Sequence, residues 1–262
     1  MLRREFLGAL PIVAAGAADG RVGNGQLDAA APQIYEWRQY SLRTGMQPRR
    51  VADYLQNALI PALNRLGHSP VGVFEVTFGL PTPTVFVLTP FASADAFLTK
   101  EFRLDNDETF IKSAAGYFDA VPADAVYVRQ EVSVLGAFPR MPRIQVPVAT
   151  ATKGPRLFEL RTYESHNDRA GAKKIEMFEK GEFPIFKRAG LTWVFFGKNV
   201  VGAGLPSLTY MLVFPNLAAY DKAWATFRED PEWVKLRGLP EYADIVSTIH
   251  NALLRPTDYS QI

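Results

Sequence analysis

Ile34-Tyr35-Glu36-Trp37-Arg38-Gln39-Tyr40 returns 123 residues later as Leu157-Phe158-Glu159-Leu160-Arg161-Thr162-Tyr163. The same offset carries Pro61 to Pro184, Arg65 to Arg188, Gly67 to Gly190, Pro83 to Pro206, Phe91 to Phe214 and Asp107 to Asp230. A register kept through strand, helix and strand marks two copies of one structural unit, and neither copy need bury its surface alone.

Each copy reads strand, helix, strand, strand, helix, strand. In the first, the motif at 34–40 alternates in the manner of a strand. Pro48 suits a first helical position, and Val51, Tyr54, Leu55, Ala58, Ala62 and Leu63 recur at helical spacing up to Leu66. Gly67 supplies the stop, and Pro61 predicts a kink that Pro184 repeats. Strands are expected over 71–78 and 84–89, helical pieces over 94–102 and 108–118, and a closing strand over 125–135. In the second copy Asn167 or Asp168 caps a helix reaching Ala189, and Asn216 caps another reaching Arg228. Strands are expected over 193–196, 208–214 and 246–254. A βαββαβ unit is ferredoxin-like, with helices on one face of its sheet. The bare face needs a cover, and the second copy provides it. The expected fold is α+β: tandem ferredoxin-like repeats closing into a single-chain dimeric α/β-barrel.

The motif strands, with Lys174-Ile175-Glu176-Met177-Phe178, Phe195-Phe196-Gly197, Leu208-Thr209-Tyr210-Met211-Leu212, Asp230-Pro231-Glu232-Trp233 and Leu254-Arg255-Pro256, resemble segments of the NIPSNAP family. The likeness runs over about 33–262 and is closer in the second copy, and two-domain exported bacterial members are the most similar. It implies the dimeric α/β-barrel fold. It implies no agreed reaction, substrate or catalytic residue, because fold does not carry function.

The 262 residues are 48% hydrophobic and 21% charged, with 29 basic and 27 acidic side chains. That balance gives no electrostatic reason to expect nucleic acid. The absence of cysteine excludes disulfides, thiolate metal sites and cysteine nucleophiles. Arg3-Arg4-Glu5-Phe6-Leu7 followed by an apolar run to Ala18 reads as a twin-arginine export signal, too short to span a membrane in the mature protein. The expected organisation is therefore 1–32 signal and flexible leader, 33–137 first domain, 138–156 proline-rich linker and 157–262 second domain. A periplasmic or extracellular location follows from the signal. The duplication makes a monomeric pseudo-dimer sufficient, with further homo-oligomer formation open.

The repeated Glu-x-Arg-x-Tyr holds the best candidates for chemistry. Alternate strand residues share a face, so Glu36, Arg38 and Tyr40 point together, as do Glu159, Arg161 and Tyr163. The more apolar alternate face is assigned to the helices and the charged face to the barrel interior. Two readings stay open there: structural ion pairs, or a ligand-binding pocket in which arginine holds an anionic or carbonyl group and Tyr40 or Tyr163 acts as proton donor. Trp193 and Tyr210 belong to an aromatic set that lines either a pocket or the core. Of three histidines, His250 lies on the last strand and is the candidate general base. No metal site is read, since no histidine pair has ligand spacing. No cofactor is expected; haem held by His250 is the alternative. Binding of a small, partly apolar molecule, a cofactor-free or haem-dependent monooxygenase or isomerase, and a protein scaffold are the three functional readings.

Overall fold

The computed structural model describes residues 31–262. The twin-arginine segment and most of the leader lie outside the described residues. The first copy contributes β1 (Ile34–Ser41), β2 (Gly72–Phe78), β3 (Thr84–Phe91) and β4 (Arg129–Ala137); the second contributes β5 (Leu157–Glu164), β6 (Thr192–Val201), β7 (Ser207–Phe214) and β8 (Thr248–Pro256). They close into one antiparallel barrel in the order β1-β3-β2-β8-β5-β7-β6-β4. Each half is a β4-β1-β3-β2 type sheet whose edges are paired by the other half, β2 with β8 and β6 with β4. Closure leaves no free edge strand among the eight.

The repeat extends beyond the sequence match, with one adjustment. Tyr35 pairs with Leu135 and Phe158 with Leu254, so the last strands correspond at an offset of 119 rather than 123. The helical region before β4 is longer by those four residues.

The first copy's helices are α1 (Met46–Tyr54), α2 (Ile60–Arg65), α3 (Ala94–Leu98), α4 (Lys100–Asp105), α5 (Glu108–Ser113) and α6 (Ala115–Phe118). The second copy's are α7 (Asp168–Met177), α8 (Phe183–Ala189), α9 (Leu217–Glu229) and α10 (Pro231–Arg237). The Asn167 and Asn216 side chains cap α7 and α9 as their sequence positions predict. Gly67 and Gly190 adopt positive φ at the helix ends, 82° and 79°. The prolines are accommodated in a way the sequence did not suggest. A π-helical turn, Leu55–Leu59 or Phe178–Glu182, joins α1 to α2 and α7 to α8 just before each proline. Proline lacks the amide hydrogen and its ring crowds the carbonyl four residues back; the wider turn relieves that crowding at the same place in both copies.

The motif faces are the reverse of the sequence expectation. Tyr35, Trp37, Phe158 and Leu160 fill the barrel interior with Phe74, Phe86, Phe195 and Met211. Tyr40 and Tyr163 pack instead among the helices of their own copies. The narrow interior of an eight-stranded barrel is filled largely by side chains, and rings and aliphatic chains fill it at less cost than charged groups would. The buried carboxylates need donors, and the helices supply them. The two motifs consequently lie in separate helix-covered layers and do not converge in one interior.

Candidate functional site

On β1, Arg38 donates to Glu36 Oε1 at 2.6 Å and Lys100 from α4 donates to Oε2. Lys100 is itself buried, over the rings of Phe91 and Phe97. Burial raises the Glu36 pKa, but Arg38 and Lys100 outweigh it, and the carboxyl sits below the usual carboxylate range. On β5, Arg161 donates to Glu159 Oε1 at 2.8 Å and Trp224 Nε1 of α9 donates to Oε2 at 2.7 Å. Arg161 also reaches Tyr163 Oη at 3.2 Å, and Tyr163 Oη lies 2.8 Å from Tyr210 Oη. The Arg161 guanidinium lies 4.6 Å from the Trp224 ring centroid. Burial, together with Tyr163, pushes Tyr210 well above the usual phenol range. These carboxylates and guanidiniums are committed to one another, so neither network presents a free cation to an anionic ligand. Tyr210 is buried in this layer, and Trp193 packs on Phe183 at 6.0 Å beside the linker. The sequence-derived candidates thus fall into separate places.

His250 is the exception, because it stands at a cavity. One end of the barrel, by the β2–β3 and β6–β7 turns, opens into about 280 Å³. Its floor is Trp37, Phe86, Leu135 and Leu160, with Trp37 stacked on Phe86 at 4.8 Å. Polar groups line the mouth: Gln39, Ser133, Thr162, Asn199 and Thr209. Among the described residues His250 is the only ionisable one that lines it, and its Nε2 lies 3.0 Å from Glu164 Oε1. Thr162 Oγ1 and Thr209 Oγ1 are 2.9 Å apart, and Asn199 Nδ2 donates to Thr209 Oγ1 at 3.1 Å and to Ser207 Oγ at 2.7 Å. Asn199 Oδ1 is buried with no partner among the described residues.

The turn glycines shape this mouth. Gly202-Ala203-Gly204, a small-residue turn in the sequence, is required by its backbone, since Gly202 and Gly204 both hold positive φ. A Cβ on Gly204, at φ 66°, would lie 2.5 Å from Glu164 Oε1; one on Gly202, at φ 142°, would lie 2.5 Å from Ser133 Oγ. Gln39 and Thr162 were the legible signal for this site. They hold equivalent places in the two motifs and are polar on a face otherwise apolar. Asn199 and Thr209 carried no such signal, since only the closed barrel brings them beside Thr162.

With this geometry, a composite apolar and hydrogen-bonding cavity inside a duplicated α+β barrel, the chain has the build of a single-chain dimeric α/β-barrel protein. It belongs to the NIPSNAP family, whose profile matches residues 35–121 and 158–261. No curated protein matches the sequence. Among solved structures, a protein of Lactobacillus acidophilus provisionally named a monooxygenase has a TM-score of 0.58 at 12% identity, over 86% of this chain and 94% of its own. A Fusobacterium nucleatum protein with the same provisional name gives 0.52 at 9% identity, over 86% and 93%. A NIPSNAP family protein of unknown function from Agrobacterium tumefaciens is 19% identical over 39% of this chain and 88% of its own, with a TM-score of 0.35. Among the described residues no helix is long and apolar enough to cross a membrane, and no three His, Asp or Glu side chains gather as metal ligands.

Proposed function

We propose that the barrel mouth binds a small, partly apolar molecule. The observation that carries this reading is the cavity itself, with an apolar floor under a ring of neutral hydrogen-bonding groups. Ligand sites commonly combine a mainly apolar lining with a few convergent polar groups. Native mass spectrometry of protein purified from its own host tests it. The expected result is an added mass that disappears in Thr162→Trp, whose indole occupies the mouth. An added mass of the same size in that variant, or ligand-induced NMR shifts remote from Trp37, would end the reading.

A second reading, an enzyme, is favoured by one observation: His250 and Glu164 pair at the same mouth. A carboxylate beside imidazole orients the ring and fixes which nitrogen carries the proton, which suits a general base. Loss of turnover in His250→Ala with ligand binding retained is the expected outcome. The residues suit a haem poorly. Among the described residues no Arg or Lys lines the cavity to meet propionates, and His250 Nε2 is engaged by Glu164. We further propose export, on the strength of Arg3-Arg4 and the apolar run that follows.

A further inference from the structure

We infer that the barrel mouth selects an uncharged aromatic carbonyl compound, its ring against Trp37 and Phe86 and its oxygen on the Thr162–Thr209 wall; this rests on the mouth being a ligand site. The selectivity comes from divergence between the copies. Strand order places β1 and β3 across the barrel from β5 and β7. At equivalent positions Phe86 answers Thr209, Val76 answers Asn199 and Trp37 answers Leu160. At the Phe86/Thr209 and Val76/Asn199 positions the first copy is therefore apolar where the second copy hydrogen-bonds, and at Trp37/Leu160 the ring belongs to the first copy. A symmetric ligand would waste this difference, whereas a ring with oxygen on one edge matches it.

Charge excludes most alternatives. Among the described residues no Arg, Lys, Asp or Glu lines the cavity, and the one titratable group among them, His250, already faces Glu164. A carboxylate, phosphate or ammonium group would be desolvated there without a counter-charge. The arginines of the motifs are on the far side of the sheet, held by Glu36 and Glu159.

The hydroxyl pair sets the ligand's polarity. Thr209 Oγ1 accepts from Asn199 Nδ2 and shares a single hydrogen bond with Thr162 Oγ1. Two hydroxyls have two protons, and that bond uses one. The other is left to donate, so the complementary ligand atom is an acceptor. A volume of about 280 Å³ lies at the small end of ligand sites, which fits a compact ring system.

Titration calorimetry with three matched probes tests the assignment: 2-acetylnaphthalene, 2-ethylnaphthalene and 2-naphthoate. The ketone should bind about fivefold or more tightly than the hydrocarbon, the usual scale of one hydrogen bond. The carboxylate should bind at least tenfold more weakly than the ketone. In Thr209→Val the preference for ketone over hydrocarbon should shrink while hydrocarbon affinity stays within about twofold. In Trp37→Leu, which installs the second copy's residue, all three affinities should fall. Equal or tighter binding of naphthoate or ethylnaphthalene by the wild type would overturn the ligand class while leaving the pocket standing. An undiminished ketone preference in Thr209→Val would remove the proposed wall. Absence of binding by all three probes, with the Thr162→Trp variant also keeping its native added mass, would remove the site itself.

Discussion

The two copies keep the same strand motif and surround it with different chemistry. In the first, Glu36 is neutralised by two cations, Arg38 and the buried Lys100. In the second, Ala223 stands where Lys100 would be, and the neighbouring Trp224 donates its indole hydrogen to Glu159. A second contrast lies in the long helices. Val51 and Leu59 are apolar and buried in the first copy, while their equivalents Lys174 and Glu182 form a buried ion pair in the second. The lesson is that burial dictates satisfaction rather than identity. A carboxylate accepts a lysine or an indole, and a core position accepts a charge when its opposite arrives with it.

The largest expected effect breaks the second contrast. Burial already pushes the Glu182 carboxyl above the usual range despite Lys174, and Lys174→Val, which removes its buried partner, should destabilise the fold by about 3–5 kcal/mol in urea unfolding. The double change Lys174→Val with Glu182→Leu makes this helix resemble its copy, and should recover most of that loss or exceed wild type. A double variant as unstable as the single one would show that the pair does more than satisfy itself.

Next is the indole. Trp224→Phe removes one hydrogen bond to a charged acceptor and should cost about 1.5–3 kcal/mol. Its urea midpoint should recover little with Tyr or Leu at that position, since neither returns the donor to the same place.

Acidification separates the first copy. The Glu36 carboxyl titrates below the ordinary range, where burial is outweighed by Arg38 and Lys100. Its stabilisation is complete above the unfolded carboxylate pKa and is lost as pH falls through the lower folded value. The difference in melting temperature between wild type and Glu36→Gln should therefore be widest near neutrality and close on acidification. A gap that widens in acid would reverse the assigned sign.

The smallest effects should be those the copies share. Arg65 pairs with Asp107, and Arg188 pairs with Asp230, at equivalent surface positions. Replacing either arginine with alanine should move the urea midpoint only slightly, and by similar amounts. A large difference between them would mean the copies diverge at their surfaces as well as in their buried partners.

Much of the architecture was legible because it is written in local pattern. Alternation placed β1 and β5, Gly67 and Gly190 marked helix ends, and Asn167 and Asn216 marked helix starts. The site was less legible. Glu36, Arg38, Glu159 and Arg161 drew attention because charge in a strand is unusual, but charge says only that a partner exists. Their partners Lys100 and Trp224 are 64 and 65 residues away. The polar interruptions Gln39 and Thr162 were visible in the motif, yet their meaning depended on which face was the interior.

By itself the sequence determined the duplication, the order of elements and the family, because each depends on spacing along the chain. Tertiary structure alone decided which motif face turned inward and which side chains met at the mouth. Alternation defines two faces but does not name them. That choice belonged to the closed barrel, which fills with rings and leaves buried carboxylates to donors on the helices. The same closure set Thr162 and Thr209 opposite Trp37 and Phe86, making a polar wall and an aromatic wall from two copies of one unit.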